Sequence, residues 1–265
     1  MSEIQYYEFV AADRPLTAAQ QAEVREFSAS AKISASSLIA EYDHGDLQAD
    51  PTYLLQHYYD AHLYTANWGS RRLMLKLHRT ALDPKAAEQY TVHDRVTLFP
   101  IGDILIVDVT SENDDEDEEE AGELADIAGI RSEIAAGDLR PLYLIWLAAY
   151  GEWERDESIF DDEDDQVVEP PVPAGLDQLT SAQRALADFL RLDDDLLRVA
   201  AEAKPDDPAA LAASIAGLPD AEKDRILLSV AHGQGTQART ELLRNTDPPR
   251  RTVGELLDAA ADRHA

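Results

Sequence analysis

The chain of 265 residues contains no cysteine. Structural disulfides, thiolate zinc sites, iron–sulfur clusters and cysteine nucleophiles are thereby excluded. Positive charge is scarce: 23 lysines and arginines stand against 53 aspartates and glutamates, for a net charge of −30. Phosphates would be repelled and no basic region exists to neutralise them, so direct nucleic-acid binding is not expected. Long apolar runs are also missing. The longest, Leu142 to Tyr150, falls far short of the roughly 20 residues that a membrane helix needs, so no membrane association is expected. The opening Met1-Ser2-Glu3-Ile4-Gln5 carries neither the basic nor the apolar part of a secretory signal, and a cytoplasmic location is the expectation. Hydrophobic residues nevertheless make up 45% of the chain, enough to bury one large or two modest cores.

The negative charge is unevenly spread. Residues 111–126 hold ten acids and no base, and residues 152–169 hold ten acids and one base, so these two stretches supply 19 of the 30 net charges. Like charges packed this densely repel one another and offer no apolar face, so both read as solvated connectors. They divide the chain into a domain at 1–110, an acidic linker at 111–126, a helix pair at 127–151, an acidic and proline-rich linker at 152–175 and a helical bundle at 176–265. The expected fold class is α+β: an N-terminal mixed α/β domain followed by an all-helical C-terminal bundle.

Within residues 1–110, Ile4 to Val10 is aromatic and β-branched, as strands prefer. Thr17 with Gln20 three residues on is a capping box for a helix to about Ala31. Ser37 to Tyr42 reads as a strand, and Asp50-Pro51 opens a helix through about Tyr59. His62 to Ala66 and Arg71 to His78 are strands around Asn67-Trp68-Gly69-Ser70. The second alternates cleanly, with Leu73, Leu75 and Leu77 on one face and Arg72, Met74, Lys76 and His78 on the other. Val96 to Phe99 and Ile104 to Val109 form a hairpin. Farther on, Ile127–Ala136 and Leu139–Tyr150 are an antiparallel helix pair. The second is apolar almost all round and must be buried on most sides, which we expect it to achieve against a neighbouring domain. Capping boxes at Thr180/Gln183 and Thr252/Glu255, with starts at Asp193 and Asp207-Pro208, mark the later helices.

No phosphate-binding loop, zincin helix or nucleophile elbow is present. His232-Gly233-Gln234-Gly235-Thr236 follows a helix and reads as a loop. Asp43, His44, Asp46, His57 and Asp60 have metal-ligand chemistry. His57 and His62 lie five apart, which does not put both on one helical face, so surface or satisfied histidines are the better reading, and neither metal nor cofactor is expected. Phe189 to Leu197 has the cadence of helix, turn, helix, but Asp193-Asp194-Asp195 at the head of its second helix opposes DNA reading. The most distinctive local sequence is Asn67 to Arg72. A tryptophan beside two arginines can hold an anion or planar ligand by stacking and bidentate hydrogen bonds. Trp68, Arg71, Arg72, Lys76 and His78 form the candidate ligand-binding strip; the bland alternative is a turn with Trp68 in the core and solvated arginines.

Gln5 to Phe9 with Asp13 to Thr17, Asp60 to Tyr64, and Ala66 to Leu75 resemble a family of uncharacterised bacterial proteins. Ala136 to Arg140, Leu218 to Asp224 and Arg250 to Val253 resemble it as well. The resemblance covers most of the chain outside the acidic stretches. It implies that the pieces form one evolved unit, and implies no activity, cofactor or site residue. The first expectation for function is a non-catalytic protein-interaction or accessory subunit with a protein partner, for which a cationic surface would suit the charge. The alternatives are binding or hydrolysis of an anionic small molecule at the strip, and inhibition of a cationic protein by nucleic-acid mimicry.

Overall fold

The computed structural model describes residues 3–113, 123–151, 162–202, 215–231 and 250–264. Most of both acidic stretches, the Asp207-Pro208 start and the glycine-containing loop after Ala231 lie outside them. So does the bulk of the charge on which mimicry would depend.

Seven strands form one fully antiparallel sheet: β1 (Ile4–Val10), β2 (Lys32–Ile33), β3 (Ser37–Asp43), β4 (Ala61–Ala66), β5 (Arg71–His78), β6 (Val96–Ile101) and β7 (Ile104–Ser111). Their order across the sheet is β2-β3-β1-β4-β5-β7-β6. The alternation read in β5 decides what lies on each face. Met74 faces α1 (Ala18–Arg25) and α2 (Pro51–His57), in a core with Phe9, Leu38, Leu54, Leu55 and Tyr59. Leu73, Leu75 and Leu77 face the opposite way, into the larger core.

Helix starts follow their caps. Thr17 and Gln20 form the capping box of α1, while Asp50 accepts from Thr52 N with Pro51 in the first turn of α2. Both helices stop earlier than the sequence reading, at Arg25 and His57. The short strand β2 was not anticipated.

The second face is covered by α3 (Pro84–Ala87), α4 (Leu124–Ile127), α5 (Ile130–Ala135), α6 (Arg140–Gly151), α8 (Ser181–Phe189), α9 (Asp194–Ala201) and the helix Val253–His264. In α6 every residue from Pro141 to Tyr150 is buried. Its neighbours are the sheet, α5, α8 and α9 of this same chain, so its apolar surface is consumed internally. Phe189, Leu196 and Leu256 share one hydrophobic cluster with Leu73 and Leu105 of the sheet. The chain is therefore mixed α/β, with helices following an antiparallel sheet. The helix Asp220–Ala231 contributes no buried residue.

Part of the second acidic stretch is built into the structure rather than solvated. Asp162–Asp165 forms α7, and Asp164 and Glu169 are buried. The reason is pairing. Glu169 accepts from Arg251 Nε at 2.9 Å and Nη2 at 2.8 Å, and from the Tyr143 hydroxyl of α6. Asp164 lies 2.8 Å from His93 Nε2. Among the described residues of this stretch, Asp164 and Glu169 are buried and each meets side chains distant in sequence.

Candidate functional site

The face of the sheet that carries α1 and α2 holds two rows of side chains in register. One row runs Ala40, Tyr7, Tyr64, Arg72, Thr110; the next runs Leu38, Phe9, His62, Met74, Asp108. Directly opposed residues in such rows are near neighbours. Helix α2 packs over the second row, in one core with Phe9 and Met74. Beside α2 the first row is only partly covered: Ala40 and Tyr7 are buried, whereas Tyr64 and Arg72 are half-buried. There a cleft of about 410 Å³ opens, bordered by Tyr7, His62, Tyr64, Arg72, Asp46 and Glu112.

Two turns shape its rim. His44 and Gly45 adopt φ of 69° and 115° after β3, bringing Asp46 over the sheet. Gly69 at φ 94° reverses the chain between β4 and β5, a conformation that costs glycine little. Asp46 accepts from the Tyr7 hydroxyl and from Leu47 N at 2.7 Å. The Tyr64 hydroxyl donates to Gln5 Oε1 at 2.9 Å. Ser70 donates to Glu112 and accepts from Trp68 Nε1 at 2.9 Å.

Arg72 holds Asp108 with two parallel hydrogen bonds, Nε at 2.8 Å and Nη2 at 2.7 Å. This bidentate geometry is the strong form of the pair. It raises the Arg72 pKa above its ordinary value.

His62 is wholly buried and stacks on Phe9, with ring centroids 4.0 Å apart. Its Nδ1 lies 3.0 Å from the Glu8 carbonyl oxygen. A carbonyl only accepts, so Nδ1 carries the proton and Nε2 presents a bare lone pair. That Nε2 is buried without a hydrogen-bond partner among the described residues. Burial lowers the His62 pKa to about 3, and the charge of Arg72 pushes it the same way. Burial and the hydrogen bond to Asp46 raise the Tyr7 pKa far above the usual phenol range. Tyr64 is pushed up to about 12 by burial and by the charges of Asp46 and Glu112.

The five residues of the sequence-derived strip do not converge. Arg71 points to the other face, where its Nη1 donates to Phe189 O at 3.0 Å and its guanidinium lies over the Phe189 ring. Trp68 is 42% exposed in the turn, neither a core anchor nor part of the cleft lining. Arg72 borders the cleft just described. Lys76, about 13 Å farther along the strand, borders a second cleft of about 310 Å³ with Asp13, Gln20, Tyr58 and Asp60. Met74, fully buried, separates the two. Lys76 Nζ is 2.8 Å from Asp60 Oδ1 and donates to Leu55 O at 2.8 Å. His78 lies exposed at the end of β5 beside Thr80.

Tyr7, His62, Tyr64 and Asp108 were missed as site residues, although each lies at an alternating strand position facing the same side as Arg72. Among the described residues, no group of three or more histidines and carboxylates is arranged to hold a metal. No family model, curated protein or solved structure matches the chain.

Proposed function

We propose that this chain is a non-catalytic cytoplasmic binding protein whose ligand occupies the cleft over Tyr7, His62, Tyr64 and Arg72. The observation that carries this reading is the orphan Nε2 of His62, a buried residue that borders the cleft. A buried polar atom left without a partner costs about 1–3 kcal/mol, and a ligand that bonds to it removes that cost.

The titration behaviour supports binding over proton transfer. An effective general acid or base has a pKa near the working pH. Each cleft group with a shifted pKa moves away from neutrality: His62 down, Tyr7, Tyr64 and Arg72 up. These groups hold fixed hydrogen-bonding roles at physiological pH.

The test is a thermal-shift panel of small amines, carboxylates and phosphates against the wild type and Thr110→Trp, which fills the cleft. Compounds that stabilise the wild type but not the filled variant support the reading. A panel in which every hit stabilises both proteins equally refutes it.

A second reading, a subunit docking on a protein partner, is favoured by the helix Asp220–Ala231. Its Leu227, Leu228 and Val230 are 66%, 58% and 52% exposed. Replacing all three with serine and finding unchanged native co-purification would count against that role.

A further inference from the structure

Three groups at the cleft have acceptor capacity that no described residue uses. His62 Nε2 is a bare lone pair with no partner among the described residues. Asp46 accepts only from neutral donors, the Tyr7 hydroxyl and Leu47 N. Glu112 accepts from the Ser70 hydroxyl. Among the described residues neither carboxylate has an ion-pair partner. The cation beside them is already paired, since the Nε–Nη2 edge of the Arg72 guanidinium is held by Asp108.

Field and walls point the same way. Asp46 and Glu112 both act electrostatically on Tyr64, and Asp50 acts on Arg72. The Tyr7 and Tyr64 rings lie 4.8 Å apart between centroids and both border the cleft, and aromatic rings attract cations. An anion would meet surplus carboxylates here. A quaternary ammonium would suit the rings but has no N–H to give His62.

We infer that the cleft receives a protonated primary amine, its N–H donors shared by His62 Nε2, Asp46 and Glu112 and its stem lying against Tyr7 and Tyr64. This rests on the cleft being the binding site. The amine is carried either by a free small molecule or by a lysine of a partner protein.

The full chain is titrated by calorimetry and by NMR of the His62 side-chain nitrogens. The probes are 1,5-diaminopentane, capped lysine (Nα-acetyl-lysine amide), tetramethylammonium and butanoate. At least one amine is expected to saturate the protein and move the His62 Nε2 resonance. Asp46→Asn and Glu112→Gln are each expected to weaken it by about tenfold, the loss of one charge-assisted hydrogen bond. Glu112 is exposed, so its variant reports on binding even if Asp46→Asn perturbs folding. Tighter binding of diaminopentane points to a free amine, and tighter binding of capped lysine to a partner's side chain. Tetramethylammonium binding as tightly as the amines overturns the inference. So does butanoate moving the cleft resonances while the amines do not, although the cleft then survives as a binding site. If no probe moves Tyr7, His62 or Tyr64, both fall.

Discussion

His62 ties the proposed site to a measurable property of the whole fold. The native chain protonates it only near pH 3, whereas the unfolded chain does so at its ordinary value of 6.5. Between those values the unfolded state binds a proton that the native state refuses. The stability linked to His62 is therefore complete above pH 6.5 and is lost as pH falls toward 3. Going from pH 7.5 to pH 5.0, that loss is about 2 kcal/mol for this one group. His62→Leu keeps the volume, deletes the orphan Nε2 and forfeits the hydrogen bond to Glu8 O. These effects oppose each other, so at pH 7.5 the variant should lie within about 1 kcal/mol of the wild type. At pH 5.0 it should be the more stable protein by about 2 kcal/mol relative to that starting difference. Urea unfolding followed by circular dichroism at both pH values measures this. With a slope of about 3 kcal/mol per molar for a chain of this size, the relative midpoint shift is about 0.7 M. Carboxylates titrate in both proteins and cancel in the comparison. If wild type and variant lose the same stability between the two pH values, His62 is not held neutral in a dry site, and the argument from its orphan nitrogen fails.

Glu169→Ala should cost about 3 kcal/mol in urea unfolding, because Arg251 is left without its bidentate partner; the double variant Glu169→Met/Arg251→Met should recover most of that loss. Lys76→Met should cost about 2–3 kcal/mol by stranding the buried Asp60 carboxylate, with recovery on adding Asp60→Asn. Asp108→Asn should release the Arg72 guanidinium and move cleft selectivity from amines toward butanoate in calorimetric titrations; unchanged selectivity would show that the Arg72–Asp108 pair does not set the sign of the site. Trp68→Ala, in an exposed turn, should change stability by less than about 1 kcal/mol.

The sheet was legible where one face of a strand is apolar. Leu73, Leu75 and Leu77 mark β5 by period alone, and the aromatic run from Tyr6 to Phe9 marks β1. The caps at Thr17, Asp50, Thr180 and Thr252 located helix starts because a side chain and a backbone N–H two or three residues apart satisfy one another locally. Placement of the apolar α6 was not local. Nothing between Leu142 and Tyr150 says that its cover comes from the sheet, α8 and α9 of the same chain. The strip failed for a similar reason. Arg72, Lys76 and His78 do share a strand face, as their spacing requires, but Met74 between them sits in the core beneath α2 and divides the face into two clefts. Asp108 enters only through the β5–β7 register, and His62 only through pairing of β4 with β1.

The reversal in the sign of the site follows from the same non-local pairing. Arg71-Arg72 followed by Lys76 reads along the chain as a basic strip, which would hold an anion. In the fold, each of these cations is met by groups distant in sequence: Arg71 by the Phe189 carbonyl, Arg72 by Asp108, Lys76 by Asp60. Burying even part of a cation is costly without such a partner, so a chain with 53 acids and 23 bases pairs its inward-facing cations first. The groups left over near a cleft are then carboxylates, here Asp46 and Glu112. On the proposed reading, affinity would be governed by that remainder rather than by the residues that stand out in the sequence. The orphan acceptor of His62, which borders the same cleft, would add a demand for N–H donors, so that in the proposed site charge and hydrogen bonding would select the same occupant.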